Sequence, residues 1–145
     1  MNGPSYKFRL ERVRALRERH EEQAKQDFAT ALQERQRSHE ELMRTQAKIA
    51  SARVAQLQAE AEELAQHQSY LERLERAAEL AQQELDRREV ELAERRAALT
   101  KASQDREALE RLKEKGLVDH NREQARVEQN TLDEIAGNGH WRRAA

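Results

Sequence analysis

The residues best able to do chemistry are five histidines, at positions 20, 39, 67, 120 and 140, set in a chain rich in carboxylates. Imidazoles and carboxylates suggest metal coordination or acid–base work, and both need convergent spacing. No histidine stands at a metal ligand's spacing from another, and there is no cysteine, so the donor set of a zinc site is not assembled. Without cysteine there is no disulfide framework either. Serine, histidine and aspartate all occur, but a nucleophilic triad needs a concave pocket that excludes water. No Gly-rich phosphate loop and no P-loop lysine motif is present. The reading is therefore a protein without catalytic residues, metal, cofactor or small-molecule substrate. Recognition is the chemistry that remains. Tyr70 and Trp141 are its candidates, because aromatic side chains are enriched at binding hot spots.

What carries these side chains is legible in a heptad. Leu57, Leu64, Leu71, Ala78, Leu85, Leu92 and Leu99 stand seven residues apart. Such a row drifts by only about 20° per heptad around a straight helix, so it makes one seam. A seam of that length has to be covered by another helix. Leu74, Ala81, Arg88, Arg95, Ala102 and Leu109 form its companion row, in which the two arginines loosen the core and send their heads to water. Glu72–Arg76, Glu84–Arg88, Glu91–Arg95 and Glu107–Arg111 are spaced for ion pairs along the helix, each worth about 0.2–0.5 kcal/mol. Composition agrees: of 145 residues 38% are charged and 3% aromatic. Mean hydropathy is -1.15, too polar for a globular core of this length. One proline and four glycines, with a sustained heptad, favour a helical chain over disorder.

Upstream, Phe8, Leu10, Val13, Leu16, Ala24, Phe28, Ala31, Leu32, Leu42 and Ile49 form a thin apolar line in which steps of three and four recur, as a helix requires, with Arg35 and Ser38 at inward-facing positions. Ser5, just after Pro4, is placed as the N-cap. From Ile49 to Leu57 the step is eight, a phase break where a hairpin can turn. Two tips fit, the stretch 52–64 or His67–Tyr70, and the phase break favours the first. The fold expected is all-α, a long antiparallel two-helix coiled-coil hairpin with a C-terminal helical extension. A single helix forming a parallel dimer remains the other solution. One domain over 1–145 is expected, with helix 1 about 5–52, the tip about 53–64, helix 2 about 65–136 and a frayed tail 137–145 that begins at Gly137-Asn138-Gly139. Gly116 is read as a weak point worth about 1 kcal/mol against alanine.

Charge varies along the chain. Residues 7–19 place Lys7, Arg9, Arg12, Arg14, Arg17 and Arg19 against Glu11 and Glu18, whereas 51–100 hold seven basic and eleven acidic side chains. A basic end can mean nucleic acid, yet Phe8, Leu10, Val13 and Leu16 run through it as a seam without interleaved stacking aromatics. A solvated helix face is preferred, and no nucleic-acid partner is expected. No signal peptide and no membrane span is visible, so a cytoplasmic protein is the default.

The opening Tyr6-Lys7-Phe8-Arg9-Leu10-Glu11-Arg12-Val13-Arg14-Ala15-Leu16-Arg17-Glu18 resembles the start of the flagellar FliJ family. Leu109-Glu110-Arg111-Leu112-Lys113-Glu114-Lys115, then Glu128-Gln129-Asn130-Thr131-Leu132-Asp133-Glu134-Ile135-Ala136, is similar to that family's C-terminal signature. The resemblance implies an antiparallel hairpin like the central stalk of rotary ATP synthases, seated in the cytoplasmic flagellar export apparatus at the inner membrane. It implies the export ATPase FliI and the export gate FlhA as partners, with FliH and export chaperones as further ones. The family's aromatic–leucine pair for gate contact falls by similarity on Tyr70 and Leu74, with tyrosine where the family has phenylalanine. By analogy with rotary stalks, Phe8, Leu10, Arg12, Leu132, Asp133 and Glu134 are the candidates for contact with the ATPase ring. A homodimeric scaffold and the equivalent stalk of a virulence secretion system stand as alternatives.

Overall fold

A computed structural model of the chain describes residues 5–144. Two helices account for nearly all of them: α1, Glu11–Gln58, and α2, Leu64–Ala144. They pack against each other as a hairpin, and there is no strand among the described residues. Contacts divide the chain into two compact units, one of residues 21–101 and one in which the segment up to residue 20 joins the segment from 102 onward.

In the 21–101 unit the reversal occupies residues 59–63, within the stretch 52–64 that the phase break favours. It needs no glycine, because no described residue has a positive φ. The Ala59 amide donates to the Gln56 carbonyl at 3.3 Å and the Glu63 amide to the Glu60 carbonyl at 3.0 Å. Glu60, Glu62 and Glu63 then precede the N-terminus of α2, where carboxylates are favoured by the helix dipole. Gln56 closes the tip by donating from Nε2 to Gln68 Oε1 at 2.9 Å.

The core of this unit is narrow. Ala31, Leu42, Thr45, Ile49 and Ala52 of α1 are buried, as are Leu71 and Leu85 of α2. Leu74 and Ala78 pack against the Ile49–Ala52–Leu71 cluster. The buried seam is therefore shorter than the heptad suggests, since Leu57 is 88% exposed and Leu64 is exposed as well. The spacing runs through the turn, but α1 ends at Gln58, so Leu57 has no facing helix to cover it. Of the ion pairs expected from spacing, Glu84–Arg88 forms at 2.9 Å and, in the other unit, Glu107–Arg111 at 3.8 Å, whereas Glu91 and Arg95 take other partners. Arg88 is half-buried rather than in water, and its guanidinium meets Glu34 of α1 at 2.5 Å, Glu84 at 2.9 Å and Glu91 at 3.3 Å. Glu91 is thereby spent on Arg88, and Arg95 reaches Asp27 at 3.8 Å.

In the other unit α1 begins at Glu11, not near Ser5, and Pro4 lies outside the described residues. The Leu10 carbonyl accepts the first helical bond, from the Arg14 amide at 2.8 Å. Placing the start there leaves 5–10 as a non-helical strap. α2 continues through Gly137-Asn138-Gly139 to Ala144. Both glycines keep negative φ, so the left-handed cap that would stop the helix does not form, and Arg142 and Arg143 complement its C-terminal dipole.

Candidate functional site

In the 21–101 unit the two residues assigned to one partner by resemblance differ in exposure. Tyr70 is 43% exposed, whereas Leu74, four residues on, packs against the Ile49–Ala52–Leu71 cluster. The reason is helical phase. Leu71 and Leu74 share the face that meets α1, and Tyr70 is one step round from it. The Tyr70 ring walls an open groove of about 390 Å³ whose other lining is Ala47, Lys48, Ser51, Ala52 and Ala55 of α1. Ala47, Ser51 and Ala55 recur every four residues, so small side chains keep the α1 surface low just where the ring stands. The Arg73 guanidinium lies 5.9 Å from the Tyr70 ring centroid and holds a cation against it. The groove was not legible as such; the four-residue spacing of small side chains was the available signal.

The other unit holds the remaining candidates in two groups. Phe8 is half-buried in the strap, while Leu10 and Arg12 are exposed at the start of α1. Leu132, Asp133 and Glu134 are exposed on α2, where Asp133 accepts from Gln129 Nε2 at 3.0 Å. The strap reaches α2 at Tyr6, whose ring lies 5.5 Å from that of His120. Leu132 is about 18 Å further along α2 than His120, at 1.5 Å per residue. The structure does not bring these two groups together among the described residues.

What it does bring together is Tyr6 and Gly116. A Cβ on residue 116 would lie 2.0 Å from the Tyr6 hydroxyl oxygen and 2.9 Å from Cζ. The glycine that reads as a weak point in sequence is the seat of the tyrosine. Gly116→Leu is expected to expel the Tyr6 ring while leaving α2 helical, because leucine is the better helix former. Loss of the Tyr6–His120 ring-current shifts in NMR, with unchanged or higher helicity by circular dichroism, is the check.

Beside the strap, Arg14 gathers carboxylates: Glu11 at 2.6 Å, Glu110 of α2 at 2.9 Å and Glu18 at 3.4 Å. Lys113 approaches Glu11 at 3.3 Å, and Arg17 approaches Asp105 at 3.4 Å. Hydrogen bonding to the Arg14 guanidinium, helped by Lys113, holds the Glu11 carboxyl down at about 2 and raises Arg14 in turn. Glu41, Glu84 and Glu123 are lowered by Arg44, Arg87 and Arg126 in the same way. A carboxylate whose pKa falls on folding contributes stability above its unfolded value, near 4.5, and loses it as pH drops toward 2. Acid should therefore destabilise this unit between about pH 4.5 and 2, modestly because the pairs are solvated. Thermal unfolding across that window checks it, and Glu11→Gln should flatten the dependence.

Among the described residues no group of three or more histidines and carboxylates is placed to hold a metal ion. No described helix is long and apolar enough to cross a membrane. The open grooves and exposed apolar side chains are suited to contact with other proteins. A family model described as the flagellar FliJ protein matches residues 6–145. No curated protein and no solved structure gave a significant match.

Proposed function

The chain belongs to the flagellar FliJ family and is a component of the flagellar export apparatus, and from that premise we propose that it acts as the stalk linking the export ATPase FliI to the export gate FlhA. In this reading it couples ATP hydrolysis by the FliI ring to protein export and contributes no catalytic residue of its own. FliH and the export chaperones are its further partners. It works in the cytoplasm, peripherally at the inner membrane beneath the flagellum.

The observation that carries the reading is a family match over 6–145 on a chain folded as a two-helix hairpin. The candidate surfaces are consistent with it. Tyr70, 43% exposed, is available to a partner at the gate. Leu74 holds Tyr70's helix against α1 and bounds the site from within. Phe8, Leu10 and Arg12 at one place, and Leu132, Asp133 and Glu134 at another, are proposed as ring contacts made by separate parts of the open end.

Light scattering on the purified chain, alone and with the ATPase, tests the stalk. A 16.9 kDa monomer that joins the ATPase as one chain per ring supports it. A stable dimer indifferent to the ATPase overturns it in favour of a scaffold coiled coil. For the gate contact, Tyr70→Ala is expected to weaken binding to the gate's cytoplasmic region by tenfold or more, in the range of a hot-spot truncation. Calorimetric titration reads it, and unchanged affinity in the folded variant removes Tyr70 from the site.

A further inference from the structure

We infer that the groove beside Tyr70 is a seat for an acidic amphipathic helix of the partner protein; the inference rests on the gate-contact reading and specifies the chemistry of what docks there. Shape is the first argument. The groove, about 390 Å³, is open to solvent, lined by Ala47, Ser51, Ala52 and Ala55, and walled by the Tyr70 ring. Small side chains opposite an aromatic wall leave room for the large apolar side chains that an amphipathic helix presents every three or four residues.

Charge identifies the occupant. From residue 42 to the end of α1 the charged side chains are Arg44, Lys48 and Arg53, without a carboxylate. Arg44 is held by Glu41 at 2.8 Å and Arg53 by Glu75 at 3.6 Å. Lys48 on the groove and Arg73 over Tyr70 are both exposed, and among the described residues neither forms an ion pair within 4.0 Å, although the Lys48 charge helps to lower the Glu41 carboxyl from a distance. The acidic residues of this part of α2 are elsewhere. Glu72, Glu75 and Glu79 share one helical face, the one from which Glu75 meets Arg53, while Tyr70, Arg73 and Ala77 share another. Two exposed cations not engaged in close ion pairs beside an apolar groove complement a helix whose polar face is acidic, and repel a basic one. They also argue against a second copy's α1 in the groove, because that would set Arg44, Lys48 and Arg53 against their own kind.

The test uses the full chain and two labelled synthetic helices with leucine at the same heptad positions, one with glutamate and one with lysine on the polar face. Fluorescence anisotropy should show the glutamate helix binding at least tenfold more tightly, with affinity falling as salt rises. Lys48→Glu with Arg73→Glu should abolish or reverse that preference. Ser51→Leu, which fills the groove from an exposed position, should lose both helices with circular dichroism unchanged. Equal binding of the two helices overturns the inference, as does binding indifferent to Ser51→Leu. Binding to phosphatidylglycerol vesicles that needs Lys48 and Arg73, with neither helix bound, overturns it in favour of a lipid surface.

The same variants titrated with the gate's cytoplasmic region separate this inference from the reading beneath it. Gate binding that Tyr70→Ala abolishes but charge reversal leaves intact overturns the acidic occupant and keeps the gate contact. A glutamate-helix preference with no gate binding does the reverse.

Discussion

Leu71→Ala is expected to lower the stability of the 21–101 unit by about 2–4 kcal/mol, the range for truncating a buried leucine. Leu71 is 7% exposed and sits with Ile49 and Ala52 in the buried cluster nearest the turn. No described side chain is buried below 2%, so little other apolar burial is available to compensate. Urea unfolding followed by circular dichroism measures the loss as a lower midpoint at unchanged slope. Leu74→Ala, in the same cluster but partly exposed, should cost about 1–2 kcal/mol. Tyr70→Ala should cost less than Leu71→Ala, since Tyr70 keeps 43% of its surface exposed and lies outside the buried cluster. A fall with Tyr70→Ala as large as that with Leu71→Ala would place the tyrosine in the core. The distinction matters for function, because weaker partner binding by a Leu74 variant would report instability as much as contact.

The second large effect is at Arg88, and its sign depends on the replacement. Arg88→Ala is expected to destabilise by about 1–2 kcal/mol, between the values for solvated and buried ion pairs. It removes the meeting point of Glu34, Glu84 and Glu91 and leaves a gap in the companion row. Arg88→Leu should recover that loss or exceed wild-type stability, because leucine at this heptad position extends the apolar seam. The carboxylates it releases retain access to water, with 34% of the Glu34 side chain and 42% of the Glu84 side chain exposed. Unfolding midpoints of both variants decide it. A leucine variant no more stable than the alanine variant would show that the ion-pair cluster outweighs apolar burial here.

Helix was legible along most of this chain because helix is a local property. Leu71, Leu85 and Leu42 recur at helical spacing among good helix formers, and each proves to be buried. The pairing of the helices was legible less well. The row from Leu57 to Leu99 keeps its spacing across a reversal, so periodicity alone counts Leu57 into a seam from which the turn excludes it. Arg88 and Arg95 were equivalent in the heptad, yet Arg88 meets Glu34 and is half-buried, whereas Arg95 meets Asp27 at longer range and is exposed. The difference comes from residues more than fifty positions away. Local spacing carries no information about them.

The candidate site divides along the same line. By itself the sequence determined that the chain is helical, that Tyr70 stands beside a seam, and, through its two terminal motifs, which family it resembles. These follow from side-chain periodicity and from residue order, and neither needs a third dimension. Only the tertiary structure decided that Leu74, partly buried, packs against the core while Tyr70 walls a groove of small α1 side chains, and that Gly116 makes room for Tyr6. Each of those depends on the register at which one helix or strap lies on another. Register is a property of contacts between distant segments, chosen by which apolar faces bury and which charges find partners, and many registers are compatible with one heptad.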